Sequence, residues 1–505
     1  MSLIIVSGTT SSVTTVDSTN SYVVESGGVL DVLSGGVVSG LVTVDSTGHL
    51  VVSSGGTTLS AAISGGEQDV FGLAASTTIS GGVQIVGGGS GATGTAINTT
   101  ISLGLQYVGI NSGTGTASDT TIDNGTQYVG YDGTGTASGT TINFEGTQVV
   151  GRFSGTGTAI ETTINFGGSQ IVGYSSGGSG TASGTTISSG GTQFVGYSSG
   201  GSGTASGTTI SSGGFQYVGD LGGTGTASNT TIDSGGEQLV GVSSGSGTAI
   251  DTTISGGGHQ IVGFTSGDSG TASGTTIDSG GAQILGYNAS ASGTAITTTI
   301  ESGGFQFIGD GGTGTAIDTT ISGGTQFVGH FASGTASNTA SNTTVSRGAQ
   351  IVGDQGGSGT AINTTISSGG AQSVGGANGS GTAISTTIDS GGTQYVGYIG
   401  SGTANSTTIN SVGRQYVGYF GSGTASGTTI ELGGVQYVGN NGNSGTAIDT
   451  TISGGNQYVG NGGAATASHT TIYALGAQVL ATEADRSSAT ARRTLPLSTA
   501  AASSS

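Results

Sequence analysis

The sequence predicts an all-β protein, a right-handed parallel β-helix (β-solenoid) of about 22 coils with a 21–23-residue repeat, and three observations predict it. From Thr77 to Gln478 the chain writes one pattern nineteen times: Thr-Thr-Ile (Thr-Thr-Val at 343–345), a short turn, usually Gly-rich, then Gln and two further residues of which the second is aliphatic. Successive Gln residues lie 20 to 24 positions apart, and a fixed period of that size means that each repeat covers the apolar face of its neighbour. Finally, 505 residues with 110 Gly, one Pro, no Cys and no Trp cannot build a core of large side chains, so small residues must pack in a regular way. A Gly/Ser-rich disordered linker would scatter its aliphatic and aromatic residues, whereas here they recur at fixed repeat positions.

Residues 1–76 carry a looser form of the pattern, with Ser-Gly-Gly at 26–28, 34–36, 54–56 and 64–66 separating Val/Leu-rich runs. They read as capping, degenerate coils at the open end of the solenoid. Residues 77–480 form the regular β-helix. The composition then breaks, and 481–505, which hold three of the six Arg and the only proline, Pro496, read as a disordered tail.

Within a repeat, Ala249-Ile250-Asp251-Thr252-Thr253-Ile254 shows the first strand. Strict alternation places Ile250, Thr252 and Ile254 on the inward face and Asp251 and Thr253 outside. Asn98, Asp119, Glu161, Asp318 and Asp449 hold the place of Asp251, as a solvent column should. Ser255-Gly256-Gly257-Gly258 supplies a corner, where Gly gives positive φ without steric cost. In the next strand, Gln260-Ile261-Val262-Gly263, the aliphatic at 262 is inward, so Gln260 is too. A buried amide is costly unless paired, and Gln side chains stacked at strand spacing pair with one another. The predicted ladder comprises Gln84, Gln106, Gln127, Gln148, Gln170, Gln193, Gln216, Gln238, Gln260 and Gln283, and continues to Gln478. The step from Ile to Gln is five or six residues throughout, whereas the segment from Gln to the next Thr-Thr runs from 13 to 17, so the loops emerge on one side. Right-handedness follows from the crossover preference of parallel strands.

Several function classes are excluded by composition. Net charge is −20, and the six basic residues are Arg152, Arg347, Arg414, Arg486, Arg492 and Arg493, with no basic cluster inside the repeats. Nucleic acid and anionic membrane surfaces are therefore poor partners. No apolar run reaches the roughly 18 residues of a transmembrane helix, and the N-terminus lacks a basic, apolar secretory leader. His49, His259, His330 and His469 lie in different repeats at different positions, no catalytic cluster is visible, and no metal-ligand spacing or cofactor motif is present. Gly177-Gly178-Ser179-Gly180-Thr181-Ala182 has Ala where a calcium-binding nonapeptide needs Asp.

The residue after Gln is aromatic in ten of nineteen copies: Tyr107, Tyr128, Phe194, Tyr217, Phe307, Phe327, Tyr395, Tyr416, Tyr437 and Tyr458. Rings three positions on, such as Tyr131, Tyr197, Tyr398 and Tyr419, accompany several of them. Such a stripe suits binding to sugars or another surface. It equally suits rings that stack to stabilise their own sheet.

Copies such as 202–218, with Thr-Ala-x-x-Thr-Thr-Ile, Ser-Gly-Gly and Gln-Tyr-Val in order, resemble the strand-loop-strand repeats of AIDA-type autotransporter adhesin passengers over residues 20–480. The resemblance implies a bacterial cell-surface or secreted passenger that attaches to host cells, abiotic surfaces, glycans or copies of itself. It also implies Ser and Thr as targets of an O-glycosylating heptosyltransferase. It departs from the family pattern in showing no signal and no room after Leu480 for a translocator barrel, which leaves the export route open. The alternatives are a β-helix enzyme acting on polysaccharide and an inert structural spacer.

Overall fold

The computed structural model describes residues 2–175, 177–331, 337–440, 442–473, 475–480 and 489–494. They are all-β, and every strand-to-strand register is parallel. By contacts the chain divides into two units, 1–253 with 258–260 and 267–270, and 254–257 with 261–266 and 271–505. Both are parallel β-solenoids, and together they hold about 21 turns against the 22 expected.

Three short strands build most turns, and in three turns the first two run on as one, at Ser292–Ile300, Thr313–Ser322 and Ala465–Ile472. In one turn of the first unit they are Thr93–Ile97, Thr100–Ile101 and Leu105–Ile110. Each pairs with its equivalent one period on: Thr93 with Thr114, Thr100 with Thr121, Leu105 with Thr126. The second unit repeats the scheme, with Ser380 on Ser401, Thr387 on Thr408 and Thr393 on Arg414. The inward columns are correspondingly uniform. Ala96, Ile101, Val108 and their equivalents are fully buried in turn after turn, so a core of small and medium aliphatics is built by stacking like on like. Loss of one such isoleucine, for example Ile187→Ala, removes about 2–5 kcal/mol, because rigid neighbours leave a cavity.

One inward assignment is corrected. Ile250 is 36% exposed, whereas Ala249 is fully buried. The cause is the residue that follows. Asp251 adopts φ +53°, and Asn98, Asp119, Glu161, Asp318 and Asp449 hold φ of +54° to +58° in the same place. A left-handed residue turns the chain and resets the alternation, so Ala and Ile face opposite ways before the corner, while Thr252 and Ile254 face inward after it. Gly139, Gly184 and Gly207 take that corner in other turns at φ of +62° to +65°. The glycine after the Gln strand is required more strictly. Gly109 has φ +73°, and a Cβ there would collide with the Thr134 carbonyl oxygen of the next turn.

The buried Gln residues run in two series. In the first unit Gln106 Nε2 donates to Gln84 Oε1 at 2.6 Å and to Thr99 Oγ1 at 3.3 Å, and Gln170 does the same to Gln148 and Thr162 at 2.7 and 3.0 Å. In the second, Gln306 donates to Gln283 at 2.7 Å and Thr298 at 3.2 Å, and the chain of bonds reaches Gln478. Each amide thus uses both N–H groups, one along the stack and one within its own turn, which removes the desolvation cost that a lone buried amide carries.

The series starts one turn earlier than the regular repeat. Gln84 Nε2 donates to Gln68 Oε1 at 2.8 Å, and Gln68 lies in register with the buried Leu50 and, through it, Leu30. The two turns before Gln68 therefore use the same place with Leu30 and Leu50 in it. Most of the segment 481–505 lies outside the described residues, and within it Ala489–Thr494 forms a strand parallel to Ala465–Ile472.

Candidate functional site

The Gln strand presents every second residue outward, and parallel in-register pairing places equivalent outward residues one strand spacing apart. The ten predicted aromatics all lie on this outer face and all are half-buried. In the first unit Tyr107 stacks on Tyr128 with centroids 5.0 Å apart, and Phe194 on Tyr217 at 5.0 Å. In the second unit Phe307 stacks on Phe327 at 5.0 Å, and the longest run is Tyr395–Tyr416–Tyr437–Tyr458 at 5.3, 4.9 and 5.2 Å. The stripe is therefore a set of separate ladders. Val149, Ile171, Leu239 and Ser373 hold the same column between them.

A second column completes each ladder. Tyr131 meets Tyr107 and Tyr128 edge-on at 5.5 and 5.4 Å, and Tyr419 meets Tyr395 and Tyr416 at 4.9 and 5.4 Å. Tyr398 stacks on Tyr419 at 6.0 Å, with Phe420 tucked against Tyr419 at 4.5 Å. The result is an L-shaped aromatic step one ring deep and several turns long. Burial first, and neighbouring phenols next, push the Tyr107 and Tyr395 hydroxyls above the ordinary phenol value, so they are neutral donors and acceptors at neutral pH.

Sequence reasoning missed how Arg152 joins the first ladder. Its guanidinium carbon lies 4.8 to 5.5 Å from the rings of Phe153, Tyr174, Tyr131 and Tyr128, and among the described residues its buried Nε has no hydrogen-bond partner. A cation enclosed by four ring faces is held by their quadrupoles. Three of the four His residues also have acidic neighbours. His49 lies 2.9 Å from Asp69, His330 lies 3.0 Å from Asp310, and His469 lies 3.4 Å from Asp449. Each pair is separated by 20 residues. That is one turn, so the period itself carried the signal.

What the geometry offers is shallow and repeated: neutral aromatic steps with hydroxyls at their edges, on a strongly acidic parallel solenoid. That defines a repeat-built surface scaffold. Comparison with solved structures gives the family. The chain is 34% identical to the TibC-catalysed hyper-glycosylated TibA fragment, over 66% of this chain and 99% of that one, with a TM-score of 0.46. The chain belongs to the AIDA-type autotransporter adhesin passengers. Likenesses to the alginate lyase AlyGC (8% identity, covering 98% of this chain and 97% of that one, TM-score 0.20) and to the tailspike protein of E. coli bacteriophage HK620 (11%, 91% and 71%, TM-score 0.17) are too slight to bear on function. No protein-family model and no curated protein matches the chain. Among the described residues no helix is long and apolar enough to cross a membrane.

Proposed function

We propose that this passenger works outside the cell as an adhesin, attaching to surfaces, glycans or copies of itself through many weak contacts made by the outward aromatic steps. The observation that carries the reading is the four-ring run Tyr395–Tyr416–Tyr437–Tyr458 with Tyr398 and Tyr419 at its side, half-buried and stacked at 4.9 to 5.3 Å. A rigid ring array presents apolar faces and fixed hydroxyls with little conformational entropy left to lose, and repeated weak contacts add through effective concentration. Catalysis has less support, because the His–Asp pairs lie in different turns and only one of the three histidines, His330, packs on a ring ladder, against Phe307 and Phe327.

Glycosylation belongs to the same proposal. Ser189, Ser212 and Ser234 sit exposed on left-handed turn tips of successive turns, at φ of +51°, +49° and +47°, where a transferase can reach the hydroxyl. Sugars there would extend the surface that meets a partner, and intact-mass measurement on protein from the native host reads their presence.

The ring test uses the Tyr→Ser change that the fold already accepts, since Ser373 occupies the same column in register with Tyr395. Replacing Tyr395, Tyr416, Tyr437 and Tyr458 by Ser, one to four at a time, should reduce settling and attachment of displaying cells stepwise while the β-sheet circular dichroism persists. Unchanged attachment with all four replaced would leave the rings a purely structural role, as in a spacer.

A further inference from the structure

Near the start of the first unit, outside the aromatic ladders, His49 and Glu67 occupy the residue before the inward Leu50 and Gln68 and are directly paired in register, while Asp69 is two residues along the same outward face. His49 Nε2 and Asp69 Oδ2 are 2.9 Å apart, and one ligand atom from each of the three residues lies within 4.8 Å of the others. The positions next to them in each column are aliphatic, with Asp31 one turn further back in the Asp69 column. Val29 and Val83 flank His49 and Glu67, and Val51 and Ile85 flank Asp69. One imidazole and two carboxylates are thus brought together on two adjacent turns, with Val29 and Val83 directly before and after the His49–Glu67 pair. Beside them a recess of about 360 Å³, lined by Thr47, Gly48, Gly65, Gly66 and Val83 together with His49 and Glu67, leaves room for water.

We infer that His49, Glu67 and Asp69 form a binding site for a divalent transition-metal ion of the zinc type. One imidazole nitrogen and two carboxylate oxygens are a donor set such ions accept, and imidazole selects them over magnesium and calcium, which take oxygen. Binding through Nε2 takes that nitrogen's lone pair, so His49 would hold the ion as the neutral imidazole with its proton on Nδ1. Three protein ligands leave a fourth position open toward the recess for water. Because His49 comes from one turn and Glu67 and Asp69 from the next, the ion also ties the two turns together, and it offsets the repulsion between two carboxylates held on one strand.

The other two histidine pairs make the inference specific. Neither His330–Asp310 nor His469–Asp449 has a third ligand within reach among the described residues. The test is calorimetric titration of Zn²⁺ into the full chain, with excess Mg²⁺ present to occupy loose carboxylates. One stoichiometric event is expected. It should vanish in His49→Val, a change to the residue that flanks this position in register, and in the double variant Glu67→Gln with Asp69→Asn, and it should persist in His330→Ala. A Co²⁺ visible spectrum that appears with the native chain and not with His49→Val gives an independent reading. Absence of a stoichiometric event in the native chain, or its survival in His49→Val, overturns the inference.

Discussion

Replacing one Gln by Leu should cost about twice as much in the middle of the ladder as at its start. Gln170 accepts from Gln193 Nε2 at 2.6 Å and donates to Gln148 Oε1 at 2.7 Å. Gln170→Leu keeps the volume but deprives both neighbours of one partner. At about 1–3 kcal/mol for each buried polar group left short, the loss is about 2–6 kcal/mol. Gln68 has a Gln neighbour on one side only, Gln84 at 2.8 Å, because Leu50 precedes it in register. Gln68→Leu extends the leucine column of Leu30 and Leu50 by one turn and shortens one amide, for a loss of about 1–3 kcal/mol. A solenoid need not unfold as one unit, so global melting is a poor readout. Hydrogen exchange resolved to the turns around residues 148–193 and 68–84 reads the local opening free energy directly. Equal losses at the two positions, or none at Gln170, would refute the claim that the amides act as a linked chain.

Two further outcomes follow from single residues. Asp119 sits at φ +55° beside Gly139 at φ +62°, so Asp119→Gly should leave local stability within about 0.5 kcal/mol, whereas Asp119→Val should cost about 1–2 kcal/mol in backbone strain; hydrogen exchange resolved to residues 114–142 in both variants checks this. Burial, then its 2.6 Å bond to Asp17, pushes the Tyr22 hydroxyl up to about 12. Because the folded value is the higher one, its contribution is complete below pH 10 and is lost as pH climbs from 10 toward 12. Native protein should lose stability across that window more steeply than Tyr22→Phe, and identical pH profiles would contradict the assignment.

The period and the face of each column were legible because stacking repeats a choice in every turn. The Gln and Val columns of the third strand needed only alternation. Ile250 misled because one residue, Asp251, breaks that alternation. The clue was present in the residues sharing its place, Asn, Asp and Gly, which are the side chains that tolerate the left-handed region. Gln68 went unnoticed because the strand before it reads Ala-Ala-Ile where later turns read Thr-Thr-Ile, although its partner Thr58 lies in the preceding turn segment. The His–Asp pairs and the ring-enclosed Arg152 are contacts between turns, invisible to motif spacing along the chain yet implied once 20 to 24 residues is taken as a distance of one strand.

Whole-turn deletion tests the central claim, that many equivalent surface contacts do the work of adhesion. Register shows where turns can be removed without disturbing the stack: Thr156 pairs with Ser179, Ser179 with Ser202, Ser202 with Thr224, and Thr224 with Ser246. Removing 156–178, then also 179–201, 202–223 and 224–245, shortens the first unit by one to four turns with the seams in register. Attachment of cells displaying these chains should fall by a graded factor with each turn lost. Loss of all attachment at a single deletion would locate a discrete site instead, and constant attachment through the series would contradict the account.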